Sequence, residues 1–492
     1  MISANLPALQ VIIPLLSAPL CLALYRPAWA WMFSLVVTIA SLLVSIGLLQ
    51  QVLDTGTISY AMGGWAPPWG IEYRIDLANA FVLLIVSIIG AVVMFYAGKS
   101  VERELPAHKQ TLFYTAYLLC LAGLLGITIT GDAFNVFVFL EISSLSTYIL
   151  VSLGKDRRAL TAALQYLVMG TIGATFILIG VGLLYVMTGT LNMQDLAQRL
   201  PAVIHTRTIH SAFAFLTVGI CLKLALFPLH LWLPNSYTYA PSAASALLAA
   251  TATKVAIYIL LRFVFTIFGM EFSFEVMPLG EILLVLSILA IMIGSTVAIY
   301  QDNIKRMLAY SSIAQIGYMI LGISFATVTG VTAGILHLFN HALMKGGLFL
   351  ALGGIVYSLG AARFENFRGL GKIMPWTMAA VVGGGLSLIG VPLTVGFVSK
   401  WYLVLAALEQ GWWPVAAIVL VGSLLAVVYV WRIVEMAYFQ APAEGQTPRE
   451  APLQLLIPTW LLIAASIYFG INTELTVGVA TQAAEALIGA GG

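Results

Sequence analysis

The sequence predicts an all-α polytopic membrane protein: fourteen transmembrane helices, containing two inverted five-helix repeats and two helices broken in mid-membrane. Three observations predict it. Of the 492 residues, 61% are hydrophobic and only 9% charged, whereas a soluble domain carries about 25% Asp, Glu, Lys and Arg. Apolar runs recur at the length of about 20 residues that a helix needs to cross a bilayer. Some of the few charged residues lie inside those runs, next to prolines and glycines. This composition excludes a soluble enzyme, a disordered chain and a nucleic-acid binder, which needs a basic face; the formal net charge is only +2. Cys21, Cys120 and Cys221 lie in apolar runs without paired spacing, so neither a disulfide nor a metal framework is expected.

In chain order the predicted spans run near 5–25, 28–52, 77–98, 111–130, 132–153, 160–188, 208–231, 241–269, 277–300, 307–325, 329–359, 375–408, 413–440 and 455–474. The runs are too long and too rich in Leu and Gly for barrel strands, which alternate every second residue. No basic segment precedes the first run and no small-residue cleavage pattern follows it, so it reads as a retained helix rather than a signal peptide. The expected organisation is an N-terminal unit over 1–110, a first repeat over 111–270, a second over 271–440, and a C-terminal helix and tail over 441–492.

An even number of spans puts both termini on one side. One set of loops holds thirteen basic residues, among them Arg26, Lys155, Arg158, Lys305, Arg306, Arg363 and Arg449. The opposite set holds three, Arg74, Arg199 and Arg207. By the positive-inside rule the first set is cytoplasmic and both termini face out. Arg262 and Arg432 lie close to predicted helix ends and read as interfacial anchors whose long side chains reach the headgroups.

Two stretches echo each other. Gly131-Asp132 matches Gln301-Asp302 at an offset of 170, Met169-Gly170 sits against Met344-Lys345 at 175, and Lys223 against Lys400 at 177. Spans 4–8 and 9–13 are then two five-helix units, and because five is odd the second enters from the opposite side. Transporters use such inverted repeats to build a midplane site. Spans 7 and 12 are interrupted, by Pro228 and Pro234 in one and by Gly390, Pro392 and Gly396 in the other. Proline removes a backbone hydrogen bond, and freed carbonyls at membrane depth are tolerated only beside protein or a wet cavity.

An ionised lysine at a helix centre costs about 2.5–3.5 kcal/mol on the insertion scale. Lys223, Lys254, Lys345 and Lys400 all lie near mid-span, and the chain needs none of them to fold. Desolvation makes a lysine able to give up its proton, whereas arginine stays charged. Glu141, deep in span 5, is the natural partner of Lys223. His337, His341 and Lys345 recur every fourth residue on one face of span 11, about 6 Å of rise apart. Together Glu141, Lys223, Lys254, His337, His341, Lys345 and Lys400 read as a proton relay crossing both repeats. His230, beside the Pro228 break, has no assigned role. The two span 11 histidines lack an accompanying carboxylate or Cys, so no metal is expected. Without a nucleotide, haem or flavin motif, no cofactor is expected either.

The motifs that carry these groups resemble a known family. Gly131-Asp-Ala-Phe-Asn-Val-Phe-Val-Phe-Leu-Glu141 looks like the fifth helix of the antiporter-like subunits shared by respiratory complex I, membrane-bound hydrogenases and Mrp-type cation/proton antiporters. Lys223-Leu-Ala-Leu-Phe-Pro-Leu-His-Leu-Trp-Leu-Pro234 and the stretch from Ala240 to Lys254 are similar to the family's most specific segment. Asn340-His-Ala-Leu-Met-Lys345 and the stretch from Gly390 to Lys400 complete the set. The resemblance implies that Glu141 and Lys223 form a modulating pair, Lys254 and the His337 region a central relay, and Lys400 a terminal proton site. Within the family the chain looks most like the D-type member of Mrp sodium/proton antiporters, although the N-type member of complex I shares a lysine in span 12. The implied function is proton translocation in a multi-subunit sodium/proton antiporter of a bacterial plasma membrane. The implied partners are other membrane subunits, the lipid bilayer, protons and sodium. The alternative is a proton-pumping member of complex I or a hydrogenase, driven by electron transfer.

Overall fold

The computed structural model describes residues 3–442 and 449–489; residues 443–448 and 490–492 of the expected C-terminal segment lie outside the described residues. The chain opens with α1 (Leu6–Leu22) and α2 (Pro27–Thr55), each with proline at its first or second position, where a missing N–H costs nothing. An antiparallel hairpin, β1 (Ile58–Ala61) and β2 (Glu72–Ile75), pairs Ile58 with Ile75. The helix α3 (Leu77–Glu104) then starts at a capping box between Asp76 and Asn79. Next come α4 (Ala107–Ile129), α5 (Ala133–Ser152), α6 (Arg158–Thr188) and the short α7 (Met193–Arg199). A broken pair follows, α8 (Arg207–Leu224) and α9 (Trp232–Tyr239), and then a second, α10 (Ser242–Ala250) and α11 (Ala252–Leu261). The second half holds α12 (Leu279–Ile299), α13 (Ile304–Ser324), α14 (Val328–Leu359), α15 (Leu370–Ile373), α16 (Pro375–Ile389), α17 (Val395–Glu409) and α18 (Trp413–Val434). It closes with α19 (Leu453–Ile471) and α20 (Glu474–Gly489).

Among the described residues, twelve helical segments are long and apolar enough to cross a membrane. The two other predicted spans take different forms. The first is a helix of 17 residues, and the twelfth is two helices of 15, α16 and α17, on either side of its break. Two features escape the sequence reading. Span 8 is also broken, at Thr251 (φ −127°, ψ −54°), between α10 and α11. The helix α20 follows the last predicted span and turns a small-residue face, Thr476, Ala480, Ala483, Ala484 and Leu487, into the protein.

The repeat is visible in backbone hydrogen bonds. Ala133 N–H donates to Leu191 O and Met193 N–H to Gly131 O, both at 2.8 Å, tying the start of α5 to the loop after α6. Every partner recurs 171 residues later: Ile304 N–H donates to Ala362 O at 2.8 Å and Phe364 N–H to Asp302 O at 3.1 Å. The caps correspond as well, with Asp132 accepting from Asn135 N–H and Asn303 from Arg306 N–H. So does the packing: a Cβ on Gly123 would meet Ser143 and Phe139, and one on Gly294 would meet Ala314 and Tyr310, again 171 apart. The structural register thus pairs Gly131 with Asp302, one residue from the pairing read in the sequence.

The two broken-helix lysines are not equivalent by position. The left-handed residues that end α8 and α16 are Ala225 (φ 60°) and Gly390 (φ 91°). Lys223 precedes its break in the last turn of α8, whereas Lys400 follows its break in α17. The offset of 177 matched them by type; the breaks themselves lie 165 residues apart.

At the centre stands α14, every residue of which from Gly330 to Ile355 is buried. A helix buried on all sides lies within a bundle. It packs on α10, α13, α16, α17, α19 and α20. By contrast α2, α6, α12 and α18 are mostly unburied along their lengths, which suits helices facing lipid or another subunit.

Candidate functional site: a buried row of lysines and histidines

The first member lies on α5. The Glu141 side chain keeps 27% of its surface, and its Oε1 stands 3.7 Å from Lys223 Nζ. Lys223 also donates to Ser144 Oγ at 2.9 Å. The expected Glu–Lys pair is present, as a loose contact with a hydroxyl inserted beside it. A cavity of about 30 Å³ joins Lys223 and Ser144 to Ala252 and Val255 on α11, the helix that carries Lys254. That is room for a water molecule or two.

Lys254 is fully buried, and its Nζ donates to the carbonyl of Ala249, at the end of α10, and to Thr253 Oγ1 at 3.4 Å. The break at Thr251 exposes that carbonyl, so the ammonium and the kink stabilise each other.

On α14 the His337 ring is held at both nitrogens, Nδ1 by Ser399 Oγ at 2.8 Å and Nε2 by Gln315 Oε1 at 2.9 Å. With Gln315 accepting, Nε2 carries the proton and Ser399 donates to Nδ1. The His341 ring lies parallel to it, 6.1 Å between centroids, with both nitrogens buried and unpartnered. An unpartnered buried nitrogen costs about 1–3 kcal/mol, so this is where a water is best accommodated. Lys345, fully buried, donates to Leu308 O at 2.8 Å and to Ser311 Oγ.

Lys400 ends the row. Its Nζ donates to Leu388 O at 3.1 Å, Ile389 O at 2.8 Å and Ser423 Oγ at 3.0 Å, and lies 4.9 Å from the Tyr318 ring centroid. Leu388 and Ile389 are the last residues of α16, whose carbonyls the break leaves free. Ser399, the neighbour of Lys400, is the hydroxyl on His337, so the two ends of this segment are joined.

The structure therefore brings all seven residues onto neighbouring helices. Direct contact links only Glu141 with Lys223; the other steps pass through hydroxyls, carbonyls or space. Sequence reasoning did not find Ser144, Ser311, Gln315, Ser399 and Ser423, whose only signal was being polar inside apolar spans. His230 packs 5.3 Å from Phe227 and 6.4 Å from Tyr310, with Nδ1 unpartnered. Arg262 is not an interfacial anchor. It is buried and paired with the carboxylate of Asp76, and its Nε donates to Tyr258 OH at 2.8 Å. The half-buried Arg432 caps the carbonyls of Ile299 and Gln301 instead of reaching outward.

Known proteins share this fold. A curated relative from Desulforudis audaxviator, described as the N-type member of NADH-quinone oxidoreductase, is 41% identical over 98% of both chains. A second, described as the D-type member of the Na(+)/H(+) antiporter of Alkalihalophilus pseudofirmus, is 32% identical over 92% of this chain and 90% of the relative. A chain of the solved Mrp complex from Dietzia sp. DQ12-45-1b superposes with a TM-score of 0.91 at 26% identity, covering 99% of this chain and 98% of that one. The family model described as NADH:quinone oxidoreductase/Mrp antiporter, TM, matches residues 130–426, a stretch holding every member of the row. The chain belongs to the NADH:quinone oxidoreductase/Mrp antiporter family of polytopic membrane subunits.

Proposed function

We propose that the chain is the proton-translocating component of a multi-subunit sodium/proton antiporter. It resides in a bacterial plasma membrane with both termini on the extracytoplasmic side. Protons move along Glu141, Lys223, Lys254, His341, His337 and Lys400, with Lys345 as a side member of the row. One observation carries this reading. Lys254, Lys345 and Lys400 are buried in mid-bundle and, among the described residues, form no ion pair; their partners are hydroxyls and backbone carbonyls. A permanently charged structural lysine would be held by a carboxylate. A lysine resting on neutral oxygens can exist with or without its extra proton, which a relay requires.

The Glu141–Lys223 pair is the modulating element. While paired, both ions are held charged; drawing them apart lowers the proton affinity of the lysine and sends its proton onward. Moving one proton against 100 mV costs about 2.3 kcal/mol, comparable with the worth of one partly buried pair. A single deep carboxylate does not build a sodium site, because sodium prefers several oxygen ligands. In this reading the row conducts protons, and sodium is exchanged by the assembly.

A second reading couples the same row to electron transfer in a quinone-reducing or hydrogenase-type complex. The 41% identity to an N-type member of NADH-quinone oxidoreductase favours it. The intact complex in sealed vesicles separates the two: a sodium gradient drives proton flux in the first, and an electron donor drives it in the second. In either case Glu141→Ala and Lys223→Ala are each expected to abolish coupled proton flux while the complex still assembles. Wild-type flux through either assembled variant would refute the relay.

A further inference from the structure

A second polar feature lies away from the row. Two adjoining cavities of about 410 and 230 Å³ open on the face that carries Arg158 and Arg363. They share Arg158, Tyr239, Asn303 and Arg363, and the smaller one reaches down to Glu104 and Lys305. Both volumes are ample for many waters. Lys305 at their floor is only 5% exposed. Its Nζ donates to Ala240 O at 3.3 Å and to Ser242 Oγ at 3.2 Å. The Glu104 carboxylate accepts from Ser242 N–H at 3.0 Å and from Ser100 Oγ at 2.7 Å, closing the other side of the same serine. Lys305 forms no ion pair among the described residues, but it and Glu104 bond the same Ser242. It therefore shares the environment of Lys254, Lys345 and Lys400, buried and facing neutral oxygens.

From Lys305 a polar stripe runs inward along α13. Leu308 O and Ser311 Oγ, the two acceptors of Lys345, lie three and six residues further on, and Gln315, the acceptor of His337, lies ten further on. Six residues of helix rise about 9 Å, a gap bounded by lysine side chains at both ends.

We infer that Lys305 is a proton-relay residue: it takes a proton from water in the Arg158–Arg363 cavity and passes it along α13 through Ser311 to Lys345. The step balances as a proton shift. Neutral Lys305 accepts a proton from hydronium, leaving water; a water in the gap takes that proton from Lys305 and passes one to the Ser311 hydroxyl as Ser311 gives its own to neutral Lys345, and Lys305 returns to its amine form. Glu104, fixed on the N-terminus of α10, is a positioning residue whose charge favours the protonated state of Lys305. This assigns Lys345, otherwise a side member, as the junction between entrance and row. The inference rests on the proposed relay and adds an entrance to it.

Its test uses the intact complex in vesicles. Lys305→Arg keeps the charge and the donors but never releases its proton, so flux is expected to fall to that of protein-free vesicles with assembly unchanged. Wild-type flux in assembled Lys305→Arg overturns the inference. If that variant fails to assemble, Arg363→Cys decides: Arg363 is exposed at the cavity mouth, and the three native cysteines are buried. Reaction with a bulky charged thiol reagent on that face should block flux relative to the same sample before labelling, and unchanged flux overturns the inference. Lys223→Ala keeps the two claims apart. If it abolishes flux while both Lys305→Arg and labelled Arg363→Cys conduct, the entrance alone is wrong; if it conducts, the relay itself is wrong.

Discussion

Buried charge in this protein is handled in two ways. Lys254, Lys345 and Lys400 rest on neutral oxygens, whereas Arg262 rests on the carboxylate of Asp76 and Lys223 combines the Ser144 hydroxyl with the Glu141 carboxylate. The Arg262 pairing is structural and has a pH signature. Burial pushes the Asp76 carboxyl up, but the Arg262 guanidinium and the Asn79 N–H outweigh it and hold it below the ordinary carboxylate range. A lowered native value means that the pair stabilises the fold at pH above the unfolded carboxyl, about 3.9, and that this stability is lost as pH falls through the native value. Asp76→Asn keeps a capping oxygen but removes the charge, and should cost about 2–3 kcal/mol at neutral pH. In thermal melts of the detergent-solubilised complex, the gap between wild type and variant should persist down to about pH 4 and narrow only as the pH falls further. A gap independent of pH would show that the carboxylate charge is not its source. The members of the row were legible in the sequence because a lysine inside an apolar run has no inexpensive structural reason to be there. Asp76 was not legible as the partner of Arg262, because 186 residues separate them and nothing local marks the pairing.

Among the elements, the breaks matter more than the spans. At two of the three breaks among the described residues an ammonium occupies the exposed carbonyls, Lys254 at the end of α10 and Lys400 at the end of α16; at the end of α8 the Trp232 Nε1–H donates to Leu222 O instead. Gly390 sets the break at Lys400. Its φ of 91° is one that side-chain-bearing residues rarely adopt, and a Cβ there would stand 3.0 Å from Lys400 Cδ. Gly390→Ala should therefore combine about 1–2 kcal/mol of left-handed strain with displacement of Lys400 from Leu388 and Ile389. The expected result is a lower melting temperature together with reduced proton flux. A variant that keeps both would mean that the break tolerates a side chain and that Lys400 is positioned some other way. Breaks announced by Pro228, Gly390 and Pro392 could be read from the sequence. The break at Thr251 could not, since threonine is an ordinary helix residue and no proline or glycine stands within Ser242–Leu261 to mark it. The register of the repeat was also beyond the sequence to within one residue, because it is carried by backbone bonds and caps that tolerate Asp in one copy and Asn in the other.

At the scale of the whole molecule, the inverted repeat and the distribution of charge make one joint statement about sidedness. Five crossings separate the Asp132 cap from its counterpart Asn303, so the two lie on opposite faces of the bundle. Independently, Lys155 and Arg158 from one basic loop and Arg363 from another line one cavity with Asn303. Arg74, of the opposite set, packs against Gly131 beside Asp132. The loops that composition assigned to one side are thus spatial neighbours, which composition alone had no means to show. Basic residues are retained on the cytoplasmic side during insertion, so the Asn303 face should be cytoplasmic and the β1–β2 hairpin extracytoplasmic. Trp69, on the hairpin's connecting loop, is 90% exposed and makes a convenient reporter. In right-side-out vesicles a membrane-impermeant thiol reagent should label Trp69→Cys and spare Arg363→Cys, with the pattern exchanged in inverted vesicles. The reverse pattern would turn the molecule over, moving both termini to the cytoplasm and the entrance at Lys305 to the outer face. Proton uptake through Lys305 would then run from the opposite compartment, so this labelling result fixes the direction in which the row is filled.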